Sequence, residues 1–184
     1  MELIGLYLVA CVLLILAGIA KAFRPDDTTR AMAVFVPFKM PLLRRVIRSG
    51  SIAEAALGAT ALVLPRTGSA GLVALSYFIF ALVVAYARSK GGAIASCGCF
   101  GTPDTPATML HVIVDVALGI AAVLVAMAGP VGSIASVLSS QPLHGVPLTI
   151  ASGLCAWLTF LAMSALAELE AARRALGISR VTPQ

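Results

Sequence analysis

Two cysteines one residue apart stand in Ser96-Cys97-Gly98-Cys99-Phe100-Gly101, the one place in the chain where two thiols lie close enough in sequence to act together. A pair this close can close a small disulfide ring whose geometry departs from that of a relaxed bond, which makes it easier to reduce and suits exchange better than stapling. Gly98 and Gly101 remove side chains that would obstruct such a turn. Arg88 and Lys90 precede the pair, and Asp104-Thr105-Pro106 reads as the cap and first turn of a following helix whose positive dipole end lies nearby. Both features favour the thiolate, which is the nucleophilic form. A Cys-x-Cys pair can also hold a soft ion such as Cu(I), with His111 as a nitrogen ligand. Zinc would have to draw on the two cysteines, His111 and Asp115 at a spacing that matches no standard site, and an iron-sulfur cluster usually needs four cysteines in reach, so no metal is assigned. The inert alternative is two small residues in a loop, which is how Cys11 and Cys155, inside apolar runs, read as packing residues.

Three further residues could serve such a thiol pair. His111 and Asp115 are four apart, so they share one face of a helix that begins just beneath the cysteine loop. Glu54 opens another apolar run. A bare carboxylate inside a membrane costs roughly 2.5 to 3.5 kcal/mol on insertion scales, so Glu54 and Asp115 should face a partner or a wet cavity. In the catalytic reading His111 moves protons for Cys97 and Cys99, Asp115 orients it, and Glu54 pairs with Lys21 or with one of Arg44, Arg45 and Arg48. The structural alternative is that these polar groups hold helices together.

The elements that must position these residues are membrane helices. Of 184 residues 60% are hydrophobic and only 11% charged, with a mean hydropathy of +1.01, outside the soluble range. Three runs, residues 3 to 20, 108 to 128 and 148 to 166, approach the roughly 20 residues that span a bilayer. Two shorter ones, 52 to 64 (extendable back through Val46 and Ile47) and 72 to 87, are divided by Pro65-Arg66-Thr67-Gly68 and read as a helical hairpin. The first run lacks a basic leader and is followed by Lys21 and Arg24 rather than by a cleavage site, so it is expected to remain as an anchor. Small residues such as Gly58 and Gly119 permit close helix packing.

The expected architecture is all-α, a polytopic membrane helical bundle forming a single integral membrane domain over residues 1 to 184. The basic residues then fall sharply on one side: seven between Lys21 and Arg48, Arg88 and Lys90, and three near the carboxyl end, against Arg66 alone on the other. The positive-inside rule places the amino terminus outside, the carboxyl terminus in the cytoplasm and Cys97 at the cytoplasmic face of a cell inner (plasma) membrane. This partition accounts for the net charge of +5, and with no aromatic residues interleaved among the bases it argues against nucleic acid as a partner. Residues 21 to 49 read as a partly interfacial connection broken by Pro37 and Pro41, and residues 129 to 147 as an extracytoplasmic loop or shallow helix with an apolar patch at 134 to 138.

The string Ala17-Gly18-Ile19-Ala20-Lys21 closing the first run, Glu54, and above all Ser96-Cys97-Gly98-Cys99-Phe100-Gly101 resemble the MauE family of methylamine-utilisation membrane proteins, a group related to DoxX-like proteins. The resemblance covers roughly residues 3 to 128 and implies a DoxX-like four-helix core over residues 1 to 128, plus a fifth C-terminal transmembrane helix within 129 to 184. Where the family often carries Arg before Asn or Asp in the fourth span, this chain has Val114-Asp115. The resemblance further implies a redox-associated role, in MauE itself disulfide formation during maturation of periplasmic methylamine dehydrogenase. That process lies on the outer side, whereas the charge partition sets Cys97 inside; the partition is kept as primary. A four-helix comparison with vitamin K epoxide reductase would add a quinone as electron acceptor, a fold-level analogy that no motif accompanies. The sequence thus points to a membrane thiol-disulfide oxidoreductase working with a thiol-containing partner protein. The rival is a noncatalytic subunit of a larger membrane complex, its cysteines incidental or bound to a soft metal.

Overall fold

In lipid a chain must satisfy its own backbone hydrogen bonds, and for separate apolar runs of about 20 residues the helix is the way to do so. The computed structural model describes residues 2–33, 36, 38–89, 108–129 and 142–175, and among these the regular structure is helical with no strand. In chain order the helices are α1 (Glu2–Phe23), α2 (Pro25–Ala33), α3 (Met40–Val63), α4 (Thr67–Ser89), α5 (Met109–Ala128) and α6 (Pro142–Ala175). Five of them, all but α2, are long and apolar enough to cross a membrane. The chain is therefore a multi-pass membrane protein of all-α architecture.

Helix α1 is apolar all round and sits at the centre, with Tyr7, Ala10, Cys11, Leu13, Leu14 and Ala17 buried. It packs along α3 and touches α5 and α6, while α4 packs along α5. Two glycines let α1 and α3 come this close. A Cβ on Gly18 would lie 2.7 Å from the Ser51 carbonyl oxygen and from the Ala55 nitrogen, and one on Gly58 would lie 2.8 Å from the Cys11 carbonyl oxygen. These are approaches that only a residue without a side chain tolerates. The Tyr77 hydroxyl donates to the Ala10 carbonyl at 2.6 Å, pinning α4 to α1 in the apolar interior.

Several element boundaries differ from the sequence expectation. The second span starts at Met40, ahead even of the extension to Val46, because Pro41 occupies the first turn of α3, where its missing N–H costs nothing. Pro41 starts this helix and does not break one. Within the expected connection over 21 to 49, residues 25 to 33 form a short helix. Thr108, extended at φ −94° and ψ 159°, caps α5 at Met109, so the start of that helix is not at Asp104-Thr105-Pro106, which lie outside the described residues. Helix α6, the fifth span, begins at Pro142 with Pro147 inside it, so the end of the segment expected as a loop or shallow helix over 129 to 147 is helical. The hairpin turn between α3 and α4 falls as expected, fastened by the Ser69 hydroxyl donating to the Arg66 carbonyl at 2.9 Å. Residues 134 to 138 lie outside the described residues.

Candidate functional site

Near the end of the bundle where α1 and α4 finish and α5 starts, the apolar interior is interrupted by charge. Lys21, in the last turn of α1, is only 7% exposed. Its ammonium pairs with the Glu54 carboxylate of α3 and lies 4.4 Å from the centroid of the Phe80 ring on α4. A cation held by a carboxylate on one side and a π-face on another is stabilised by both, and more strongly so away from water. Glu54 lies more than halfway along α3, not near its start as the shorter second span had suggested. The choice among its four expected partners follows from helix geometry. Arg44 and Arg45 lie about ten residues, or roughly 15 Å, back along the axis, and Arg48, six residues back, is rotated about 240° to another face.

His111 and Asp115, on α5, are 2% and 8% exposed. His111 is thus an interior residue and not one at the lipid or water surface. The Thr108 hydroxyl and His111 Nδ1 are hydrogen-bonded at 2.7 Å, so the residue that starts the helix also fixes the ring. Lys21, Tyr77, His111 and Asp115 together line a cavity of about 40 Å³, closed on its apolar sides by Leu14, Phe80, Leu118 and, from α6, Met163. That volume is enough for a few water molecules. Glu54 is not part of this wall and reaches it through Lys21. Among the described residues no group of three or more His, Cys, Asp or Glu is placed to hold a metal ion.

Of the sequence-predicted site residues, the fold gathers Glu54, His111 and Asp115 around this end of the bundle. Cys97 and Cys99 lie outside the described residues, in the sequence between Ser89, where α4 ends, and Met109, where α5 starts. Cys11 is buried, whereas Cys155 is exposed on α6 and is not the interior packing residue expected.

The family model described as methylamine utilisation protein MauE matches residues 2–131, well over half of the chain. The chain belongs to the MauE family. Neither the curated proteins nor the solved structures contain a match. The MauE match takes in Lys21, Glu54, Tyr77, Phe80, Thr108, His111 and Asp115, so the polar cavity is built within the family region, and of its wall only Met163 lies beyond it. Sequence reasoning missed Tyr77, Phe80 and Thr108 as parts of the site. An aromatic ring within an apolar span carries no mark of a functional role, and only the Thr108 spacing of three to His111 gave a signal.

Proposed function

We propose that this MauE-family protein is a membrane thiol-disulfide exchange protein whose reacting groups are Cys97 and Cys99. In one direction a Cys97 or Cys99 thiolate attacks a disulfide of a partner protein, forming a mixed disulfide and releasing one partner thiolate. The second cysteine then attacks its neighbour's sulfur, releasing the other partner thiolate and leaving a Cys97-Cys99 disulfide. Two electrons pass to the partner with two protons, and the reverse direction runs through the same intermediate. His111 takes up or returns a proton, Asp115 balances the charge that this creates, and Glu54 holds Lys21 as a fixed cation at the cavity wall. The charge partition supports a cytoplasmic placement of the pair, with the amino terminus outside.

The observation that carries this reading is that Lys21, paired with Glu54, lines one cavity with His111 and Asp115, at the end of the bundle where α4 finishes and α5 starts. Charged and titratable groups are expensive at such depth and cluster where they are used. The small cavity volume favours a second reading, a noncatalytic subunit in which the cluster only fastens helices within a larger complex.

Differential alkylation of native membranes before and after reduction, read by mass spectrometry, separates the two. Exchange chemistry gives a reducible Cys97-Cys99 or mixed disulfide, and loss of function in the Cys97→Ser, Cys99→Ser double variant. Permanently free thiols and a fully active double variant would sink the proposal. The same labelling with a membrane-impermeant reagent on intact cells should miss the pair if it faces the cytoplasm.

A further inference from the structure

Away from the polar cavity, α2 and the first turns of α3 enclose an open groove of about 740 Å³, lined by Asp26, Thr29, Arg30, Met40, Arg44, Arg45 and Arg48 among others. Four arginines and one aspartate stand in its wall. Arg44 is held across the two helices by Asp26, at 2.9 Å from its Nε and 3.2 Å from an Nη, and Leu43 is buried beside it. Among the described residues Arg45 and Arg48 have no carboxylate partner. They stand three apart on α3 and so neighbour one another on its surface. The first turn of α3 carries no acidic residue, and its dipole adds to the positive potential.

The surroundings decide which anion would enter. On the same turns of α3, Met40, Leu42 and Val46 are about half exposed, and Phe23 at the end of α1 and Phe38 before α3 are exposed too. A groove whose wall sets Met40 and Pro41 beside the guanidinium groups, at the end of a membrane-spanning helix with further exposed apolar side chains nearby in sequence, matches a molecule with an anionic head and acyl chains. A free anion in water would gain nothing from the apolar rim. Guanidinium forks bind phosphate oxygens bidentately, and basic pockets at the ends of membrane helices suit phospholipid headgroups.

We propose that the groove between α2 and α3 is a binding site for the phosphodiester headgroup of an anionic phospholipid, with Arg45 and Arg48 as its principal contacts and Arg44 set in place by Asp26. The site stands apart from the cysteine chemistry and does not depend on it.

The test is native mass spectrometry of the detergent-purified full-length chain titrated with phosphatidylglycerol, phosphatidylcholine and inorganic phosphate. Phosphatidylglycerol should bind and phosphatidylcholine should not. At about 1 kcal/mol for each basic residue, or about fivefold in affinity, the Arg45→Gln, Arg48→Gln double variant should bind phosphatidylglycerol about 25-fold more weakly. Arg66→Gln, at the opposite end of the bundle, should bind as the wild type does. Circular dichroism of the variants checks that helix content is retained, as expected for exposed positions. Equal binding by the double variant and the wild type would overturn the proposal, as would an equal loss in Arg66→Gln, which would mean a diffuse charge effect. Displacement of the lipid by inorganic phosphate at comparable concentration would also overturn it, showing a soluble-anion site.

Discussion

The Lys21-Glu54 pair joins α1 to α3 in the interior, and its removal one partner at a time tests whether the charges depend on each other. Breaking a fully buried pair costs about 3 to 5 kcal/mol, because the remaining charge is left uncompensated. The Glu54 side chain is 24% exposed against 9% for that of Lys21, so the two single variants should differ. Glu54→Met strands the deeper ammonium and should cost about 3 kcal/mol. Lys21→Met strands the less deeply buried carboxylate and should cost about 2 kcal/mol, part of it the lost contact with Phe80. The double variant leaves two apolar side chains and should cost no more than about 2 kcal/mol, well short of the sum, with a coupling of about 3 kcal/mol. At roughly 2 to 4 °C per kcal/mol for a chain of this size, Glu54→Met should lower the midpoint of thermal unfolding by about 6 to 12 °C, followed by circular dichroism in detergent. If the two losses simply add, within the roughly 0.5 kcal/mol expected of independent sites, the pair does not act as a unit and the reasoning fails.

Substitutions at Gly18 and Thr108, each with a control, probe how the site is held. Gly18→Val places a side chain against the Ser51 carbonyl and the Ala55 nitrogen, backbone atoms that cannot swing aside, and should cost about 1 to 3 kcal/mol as α1 and α3 are forced apart. Gly71→Ala, where a Cβ meets nothing within 4 Å, should leave the same thermal midpoint unchanged or slightly raised. Thr108→Val keeps the shape of the cap but leaves His111 Nδ1 without its hydroxyl, and should cost about 1 kcal/mol, or roughly 2 to 4 °C. Thr108→Ser should restore most of that, and an unaltered midpoint in the valine variant would show that the bond adds nothing.

Span number and all-helical architecture were legible because apolar runs near bilayer length have few other solutions. That Glu54 and Asp115 need a partner or a cavity was legible for a related reason, since a bare carboxylate in such a run is costly; Glu54 pairs with Lys21 and Asp115 lines a cavity. The start of α3 was not legible. Arg44, Arg45 and Arg48 interrupt the apolar pattern over its first turns, and a proline in the first turn of a helix looks in sequence like one that ends it. Phe80 was hidden for the opposite reason, as one of several aromatics in a uniformly apolar helix. Only the position of α4 against α1 makes its ring the face over Lys21.

The distribution of burial explains where a chemical site could form in so apolar a chain. Helices α3 and α6 keep most of their span exposed, while half of the α1 span is buried. A charge on the outer face of α3 would lie against lipid; Glu54 avoids this by pairing with Lys21, which the central helix delivers to the interior. Lys21 reaches the cavity because the α1 backbone approaches α3 at Gly18, one turn before it. The same close approach therefore packs the bundle and sets the cation against Tyr77, His111 and Asp115. A mutation that widens the α1-α3 contact should weaken the bundle and disperse the polar cluster together, whereas one on the outer face of α6, such as at Cys155, touches neither.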